Sequence, residues 1–245
     1  MKTILKTGEA LLGLSCANQV FEGATTMSID KKQLSKLVYY MSSFDGGVYK
    51  TGNECSFIMN MREENLDYVR WVADTLGNIT SVKIKQQPDY NKDGCTRQPL
   101  VRLWTNSHPY FSKVRERIYI DNKKVLDPHM LTLMDDEALA IIFMADGSTG
   151  LDSRWTNPHC KIDLCTKGFS YFDNLALSKS IYEKCDICSS VHRHGKYYYL
   201  NIKSRDHLKF VDCILPHLKE SFYYKLERIA PALEYKRGGD IVCAA

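Results

Sequence analysis

Two apolar runs that each end in Asp-Gly dominate the pattern of hydrophobic and polar positions along the chain. The later run, DDEALAIIFMADGS (135–148), starts with acidic residues and is wholly apolar from Leu139 to Ala145. Acidic residues are favoured near the partially positive N-terminus of a helix, and a helix without a polar face is buried on all sides. The pattern therefore predicts a fully buried helix. We expect Gly147 to end it in the left-handed conformation typical of a helix C-terminus.

A carboxylate stands at the end of this run, where a helix favours it least. The C-terminus of a helix carries partial negative charge, which disfavours Asp146 there by about 0.3–1 kcal/mol. A nearby cation would offset that cost. The earlier run, LVYYMSSF (37–44), has the same plan and is followed by Asp45, Gly46 and Gly47. The alternative interpretation is that either Asp merely terminates its helix.

Each of these two acids is followed by a lysine at the same distance. Asp45 and Lys124 are 79 positions apart (124 − 45), and Asp146 and Lys225 are also 79 positions apart (225 − 146). Both lysines follow a predicted helix, in the segments DNKKVLDP and FYYKLERIAP. Such self-similarity indicates a repeated structural unit. We interpret the chain as two copies of one unit, shifted by 101 positions (146 − 45).

Periodicity predicts the same order of elements in both copies: an Asp-bearing helix, two strands, a helix, two strands and a closing helix. The first copy has a helix capped by Asp30, strands at 48–50 and 55–61, a helix at 63–76, strands at 81–87 and 99–104, and a helix at 108–118. The second copy has the buried helix, a strand at 161–165, a helix capped by Ser170, strands at 189–193 and 196–203, and a helix at 205–220. We predict an N-terminal adaptor at 1–33, the copies at 34–134 and 135–230, and a loose tail at 231–245.

Alternation along the predicted strands gives each sheet an apolar face towards the helices and a polar face outward. A curved sheet of this kind would form a saddle that fits the major groove of DNA, where polar side chains contact base edges and phosphates. The candidate DNA-binding residues are Lys50, Asn60, Lys83, Lys85, Gln87, Arg102, Lys161, Asp163, Arg193, Tyr199, Asn201 and Lys203. The alternative is a polar sheet face that contacts only solvent, as in many α/β proteins.

Composition restricts the function classes without selecting one. Lys and Arg total 33 against 29 Asp and Glu, and the net charge of +4 permits nucleic-acid binding without arguing for it. No apolar run approaches the ~18 residues of a membrane span, and the N-terminal residues do not follow the pattern of a signal peptide. Nine cysteines, an odd number without the framework of a small secreted protein, favour reduced thiols inside a cell.

The pair Cys185 and Cys188 leaves two interpretations open. Two-residue spacing between cysteines suits tetrahedral zinc ligation. Further candidate ligands nearby are Cys160, Cys165, His192 and His194. Because these residues lack the spacing of a second ligand pair, we favour the alternative, in which both cysteines line the core.

The segments VYYMSSFDG (38–46) and LAIIFMADG (139–147) resemble the two signature helices of single-chain LAGLIDADG homing endonucleases. The first segment carries Tyr39 and Tyr40 where the family usually has small residues. The resemblance extends through NKKVLDP and YYKL, and so covers roughly residues 34–230. It implies a pseudo-two-fold pair of mixed αββαββα units with saddle-shaped antiparallel sheets around two central packed helices.

If those helices pack together, Asp45 and Asp146 emerge side by side and repel each other. A shared divalent cation would remove the repulsion, and Mg²⁺ suits a site of few carboxylates plus phosphate oxygens and water. We expect both acids to be metal ligands and catalytic. We expect Lys124 and Lys225 to stabilise charge at one scissile phosphate each, or to polarise the attacking water.

The resemblance implies a site-specific double-stranded DNA endonuclease that is monomeric and leaves short 3′ overhangs. The absence of evident splicing-junction residues favours an intron-encoded or free-standing form over an intein. The alternative function is an intron RNA maturase, with intron RNA as the partner. A DNA-binding regulator with inactive sites would lack the acids, and both are present.

Overall fold

The computed structural model describes residues 29–87, 91–92, 95–96, 99–152 and 159–243. Over these ranges the chain is a mixed α/β protein that contains the predicted pair of αββαββα units. Most of the expected N-terminal adaptor, 1–33, lies outside the described residues. At Lys31 the chain already enters its first helix, and Asp30 caps that helix by accepting a hydrogen bond from the backbone N–H of Lys32.

The first unit and the linker that follows it contain four helices and eight strands within the described ranges. They are α1 (Lys31–Ser43), β1 (Gly46–Thr51), β2 (Glu54–Arg62), α2 (Leu66–Gly77), β3 (Val82–Gln87), β4 (Asn91–Lys92), β5 (Cys95–Thr96), β6 (Leu100–Thr105), α3 (Pro109–Ile118), β7 (Tyr119–Ile120), β8 (Lys123–Lys124) and α4 (Pro128–Thr132).

The second unit repeats the plan. Its elements are α5 (Asp136–Asp146), β9 (Gly147–Asp152), β10 (His159–Leu164), α6 (Tyr171–Cys185), β11 (Ser189–His194), β12 (Tyr197–Ile202), α7 (His207–Ile214), α8 (Tyr224–Glu227) and α9 (Ala230–Cys243). As predicted, Ser170 caps α6, through a capping box with Asp173.

Each unit has one four-stranded antiparallel sheet, and the two sheets share one topology. The strand order is β1-β2-β6-β3 in the first sheet and β11-β12-β10-β9 in the second. If the four strands of each sheet are numbered by their order along the chain, both sheets have the order 1-2-4-3, with the second sheet read from its β9 edge. The repeat inferred from lysine spacing is therefore also a repeat of sheet topology.

Helices α1 and α5 form the buried centre and contact each other. From Ala138 to Met144, no residue of α5 is more than 1% exposed, which confirms the predicted buried helix. Each large apolar side chain buried in this way contributes roughly 1.5–3 kcal/mol to stability. Near the N-termini, the almost fully buried Lys36 places Nζ 2.8 Å from Glu137 Oε2 and 2.5 Å from Asp135 Oδ2.

The two tyrosines that depart from the family pattern both contact the linker helix α4. Tyr40 is fully buried, and its hydroxyl donates to the carbonyl oxygen of Met130 at 2.8 Å. The ring of Tyr39 lies edge-on to His129, with centroids 5.6 Å apart. Large side chains are accommodated because α4 provides both a hydrogen-bond acceptor and an aromatic partner.

Gly147 corrects one prediction. Its backbone is extended (φ −71°, ψ 136°) and it begins β9, so it is not a left-handed helix cap. A Cβ atom there would lie 2.3 Å from the carbonyl oxygen of Phe143. Gly46 shows the same restriction in the first unit, since a Cβ atom would lie 2.2 Å from the ring of Phe57. Glycine therefore follows each acid because the chain turns directly from helix to strand in a crowded place.

Two C-terminal predictions were wrong. The helix expected at 205–220 is regular only from His207 to Ile214, because Pro216 cannot continue the hydrogen bonding of a helix. The expected loose tail, 231–245, is helical from Ala230 to Cys243. That helix packs on α7 and β10, and it buries Ala232 and Leu233. No described helix combines the length and apolar character needed to cross a membrane.

Candidate active site

Two carboxylates meet at the C-terminal ends of α1 and α5. Asp45 lies between α1 and β1, and Asp146 is the last residue of α5. Burial raises the pKa of Asp146 from 3.8 to about 6. Burial is also the main cause that raises the pKa of Asp45 to about 6, and the charge of Asp146 raises it further. The two carboxylates therefore repel each other. Because both acids stand at C-terminal ends, the two central helices run in the same direction.

Lys124 and Lys225 each bind the end of the acid-bearing helix of their own unit. Lys124 Nζ donates to the carbonyl oxygens of Ser43 at 3.2 Å and Gly46 at 2.6 Å. Lys225 Nζ donates to two carbonyl oxygens at the end of α5, at 3.0 and 2.8 Å. A cation there stabilises the partial negative charge at the end of the helix. One of these contacts is equivalent in the two units, since Ser43 and Met144 each stand two positions before the acid.

These four groups form one electrostatic cluster that needs both units. Burial lowers the pKa of both lysines, and the nearby carboxylates partly offset this effect. The resulting pKa of Lys225 is about 8. The stronger carboxylate effect on each lysine comes from the other unit, from Asp146 on Lys124 and from Asp45 on Lys225. Each lysine is thus hydrogen-bonded to its own helix and coupled mainly to the opposite acid.

The pair of acids suits a hard divalent cation. Two carboxylates that repel each other in a partly buried place are stabilised by positive charge between them. Within the described ranges, no group of three or more His, Cys, Asp and Glu side chains is arranged to hold a metal. A cation held by Asp45 and Asp146 alone would complete its coordination with water or substrate oxygens. Mg²⁺ typically binds in this way.

Sequence reasoning missed Tyr68, which contacts the site directly. Its hydroxyl donates to Asp45 Oδ2 at 2.7 Å, and its side chain is fully buried. This hydrogen bond favours the charged form and holds the pKa of Asp45 below the value that burial alone would produce. Tyr68 stands four positions before Val72, on the apolar stripe of α2, so its burial was predictable. The acid it contacts was not.

The first sheet presents most of its candidate DNA-binding residues on one face. Asn60, Arg102 and Lys85 are direct neighbours across β2, β6 and β3, and all three are exposed. Lys83 is paired with Trp104 on the same face. In the described part of the chain, none of the three cations has an ion-pair partner. Gln87 ends β3, and its side chain lies outside the described residues.

The second sheet presents a bonded network instead. Lys161 forms an ion pair with Asp163 at 2.7 Å, and Asn201 Nδ2 donates to the other oxygen of that carboxylate at 2.8 Å. Lys161 Nζ also lies 5.2 Å from the centre of the Tyr199 ring. The ring of Tyr199 stacks on His192, with centroids 5.5 Å apart, so His192 belongs to this face although it was not predicted. Lys203 follows β12 and is exposed.

Lys50 and Arg193 lie on the opposite face of their sheets from the other candidate DNA-binding residues. Lys50 pairs with Cys55, and Arg193 pairs with Tyr198. Side chains alternate along a strand, so these residues share the face of Val48 and Val191, which is the face packed on the helices. Both are exposed only because they lie near hairpin ends, beyond the edge of the core. Their charge was taken as the signal, whereas the alternation indicates the opposite face.

Cys185 and Cys188 take structural positions. Cys185 is buried and ends α6, while the backbone N–H of Cys188 donates to Asp206 Oδ2 at 2.8 Å. Arg205 also donates to the Cys188 sulfur at 3.0 Å. The described residues around the pair therefore provide hydrogen bonds and packing, and they contain no zinc ligand set.

Comparison with known families decides the identity of the unit. A family model described as the LAGLIDADG DNA endonuclease family matches residues 45–210, more than half of the chain. The chain belongs to this family. The match starts at Asp45, directly after α1, and includes all of α5 with Asp146.

Two curated proteins and one solved structure are similar to this chain. A probable intron-encoded DNA endonuclease of Mycosarcoma maydis is 28% identical over 129 residues, which are 51% of this chain and 90% of that protein. Protein RecA of Mycolicibacterium flavescens is 26% identical over 182 residues, 71% of this chain; the chain spans only 41% of that relative's length. The homing endonuclease I-WcaI, solved bound to its DNA recognition sequence, shares the fold. It has a TM-score of 0.67 and 17% identity, over 83% of this chain and 89% of that one.

Proposed function

We propose that this LAGLIDADG protein is a site-specific endonuclease that cuts both strands of a DNA duplex by metal-dependent hydrolysis. The observation that carries the proposal is the single cluster of two acids and two lysines, built from equivalent positions of both units. Two acid–lysine pairs around one centre suit chemistry on two strands. Family membership and the polar sheet faces support DNA as the substrate.

Asp45 and Asp146 would hold the divalent cation, which we propose to be Mg²⁺. When bound, Mg²⁺ supplies Lewis-acid stabilisation of a phosphate oxygen and lowers the pKa of a bound water. The acids contribute negative charge at fixed positions, since each is anchored where a buried helix meets a strand.

Lys124 and Lys225 would each act at one scissile phosphate. Their Nζ atoms are held by carbonyl oxygens at or just after the helix ends, which orients them at little further cost in side-chain entropy. A fixed ammonium group beside a phosphate stabilises the charge that develops in the transition state. Burial lowers the pKa of Lys225 to about 8, close to neutrality, which suits a group that polarises or deprotonates an attacking water.

We further propose a monomer that acts inside the cell, leaves short 3′ overhangs, and is intron-encoded or free-standing. One chain supplies both acids and both lysines, so a second chain is not needed for a complete centre. Similarity to a probable intron-encoded endonuclease supports that origin. Six cysteines are free, in agreement with a reducing compartment: Cys55, Cys160, Cys165, Cys185, Cys188 and Cys213.

The test is selection of cleavable sites from a pool of random DNA duplexes incubated with the protein and Mg²⁺. Sequencing of the cut ends gives the target and the length of any overhang. The matched control is Asp146→Asn, which keeps the size of the side chain and removes its charge. Ends produced equally by the variant, or by the wild type in EDTA, would refute metal-dependent cleavage at this centre.

Intron RNA remains the alternative partner, and the same preparation tests it. Selected duplex and structured intron RNA would compete for the protein at fixed salt, because electrostatic affinity depends strongly on salt. We expect the duplex to win. Preference for RNA, together with no cutting of any duplex in Mg²⁺, would favour a maturase.

A further inference from the structure

The hydroxyl of Tyr68 forms a hydrogen bond with one carboxylate oxygen of Asp45. Tyr68 is the third residue of α2, and its hydroxyl donates to Asp45 Oδ2 at 2.7 Å. A hydrogen bond to a carboxylate is stronger than one between neutral groups, and it restrains rotation of the carboxyl group. Oδ2 is thereby engaged by protein, which leaves Oδ1 as the freer ligand atom of Asp45.

The Tyr68 ring is itself held by residues of both units. It stacks on Trp71 of α2, with centroids 5.7 Å apart. Phe222, from the second unit, meets it edge-on at 5.4 Å, and Lys225 Nζ lies 5.2 Å from the centre of the Phe222 ring. A continuous set of contacts therefore runs from Lys225 through Phe222 and Tyr68 to Asp45. The orientation of Asp45 depends on the docking of the second unit.

The second acid has no such support. The third residue of α6 is Asp173, which occupies the place of Tyr68 in the element order. Its carboxylate accepts hydrogen bonds from Ser170 and from the backbone N–H of Leu126. Over the described ranges, no side chain donates a hydrogen bond to Asp146, whose charge is balanced only by the two lysines.

We propose that Tyr68 is a positioning residue that presents Asp45 Oδ1 to the shared cation, and that Asp146 binds the cation without a comparable support. The inference rests on the proposed function, since it concerns the metal of that reaction. Hydrogen-bonding partners of metal ligands typically change metal affinity or activity by about 10–100-fold when removed. Loss of the Tyr68 hydroxyl should therefore weaken cation binding and leave the affinity for DNA unchanged.

The experiment compares Tyr68→Phe with Tyr40→Phe in the full chain. Both substitutions delete one buried hydroxyl that donates a hydrogen bond, but Tyr40 contacts the carbonyl oxygen of Met130, away from the acids. Mn²⁺ binding is measured by water-proton relaxation, without any cleavage. The Mg²⁺ dependence of cleavage is then measured on the selected duplex. In Tyr68→Phe, Mn²⁺ affinity should fall and the half-saturating Mg²⁺ concentration should rise, each about tenfold. Saturating Mg²⁺ should restore most of the rate.

The possible outcomes separate this inference from the function on which it rests. Wild-type metal binding and Mg²⁺ dependence in Tyr68→Phe, in a protein whose Asp45→Asn variant loses both, would overturn the role of Tyr68 alone. Equal losses in Tyr68→Phe and Tyr40→Phe would show a general packing effect and would also overturn it. A wild-type protein that neither binds Mn²⁺ nor cuts would overturn the proposed function, and this inference with it.

Discussion

The two units hold their lysines alike and their polar sheet faces differently. Lys124 and Lys225 both bind helix-end carbonyls next to an acid. The first sheet, by contrast, exposes Lys83, Lys85 and Arg102 without ion-pair partners among the described residues. The second sheet ties Lys161 to Asp163 and Asn201. Positive charge is therefore free on one face and largely compensated on the other.

The difference shows which parts of a repeated unit can diverge. The lysine contacts use backbone carbonyls that every helix end provides, so the fold itself preserves them in both units. The sheet faces depend on side chains alone, and a strand tolerates many residues on its outward face. A catalytic centre with two equivalent halves can therefore act on a DNA target whose two half-sites are recognised in different ways. We expect the first sheet to bind mainly through charge and the second through directed hydrogen bonds.

Replacement of either acid should have the largest effect and should be equal in both units. Asp45→Asn or Asp146→Asn removes half of the protein ligands of a shared cation, worth several kcal/mol in the transition state. Cleavage of both strands should fall at least about 10³-fold, with DNA affinity in EDTA nearly unchanged. Strand-resolved gels on an end-labelled duplex measure this, and Asp74→Asn, an exposed acid on α2, is the control. Cutting that survives in one of the two variants would show that the centre is not shared.

Replacement of one lysine should separate the units. If each lysine serves one strand, Lys124→Met slows one strand and Lys225→Met slows the other, by about 10–100-fold. The product would be nicked DNA, with the nicked strand switching between the variants. Lys123→Met is the matched control, because this neighbour is exposed and lies outside the predicted catalytic set. Equal slowing of both strands in both variants contradicts one lysine per strand.

The acids should reduce the stability of the metal-free protein at neutral pH. The pKa of Asp146 is raised from 3.8 to about 6, mainly by burial. A raised pKa means that the folded state binds the proton more tightly than the unfolded state does. This contribution is complete below pH 4 and is lost as pH rises through 6. Asp146→Asn should therefore raise stability at pH 7 by ~3 kcal/mol and have little effect at pH 4.

Urea unfolding in EDTA at both pH values measures this effect, with Asp45→Asn as the companion variant. Asp45 has a pKa raised to a similar value of about 6, but it also accepts the Tyr68 hydrogen bond. Because that pKa already includes the effect of the hydrogen bond, the two variants should gain similar stability at pH 7. The same gain at pH 4 and pH 7 would show that proton binding is not the cause.

The smallest effects should come from the sheet faces. Lys85→Ala removes a free cation, so DNA affinity should fall a few-fold and the slope of log affinity against log salt should become shallower by about one. Lys161→Ala removes a cation already paired with Asp163, so the slope should hardly change while the preference among target sequences shifts. Fluorescence anisotropy over a range of salt concentrations distinguishes the two. Identical slopes would remove the expected contrast between the sheets.

Much of this architecture was predictable from local pattern. An all-apolar run, two acids and two lysines at equal spacing predicted the central helices and the cluster, because helix ends and buried faces depend on nearby residues. Tyr68 could be predicted as buried, but its hydrogen bond to Asp45 depends on how α2 packs on the end of α1. The C-terminal helix was not predicted because its apolar stripe is short. That stripe stabilises a helix only when it packs against α7 and β10.

The faces of Lys50 and Arg193 show a different limit. The pattern Val48–Lys50 and Val191–Arg193 contained the correct answer, but the charge of the second residue was given more weight than the alternation. Near a hairpin end a strand extends past the core, and a cation can then occupy the inward face without being buried. Charge alone is therefore a poor guide to which face of a sheet contacts DNA.

The ion pair between Lys36 and Glu137 also determines which units can associate. Each residue stands nine positions before the acid of its own unit (45 − 36 and 146 − 137), so the two occupy equivalent positions on α1 and α5. Two copies of the first unit would bring lysine against lysine there, and two copies of the second would bring glutamate against glutamate. Like charges in a buried place cost several kcal/mol, whereas the mixed pair is compensated. This contact therefore favours association of the two unlike units over association of two like copies.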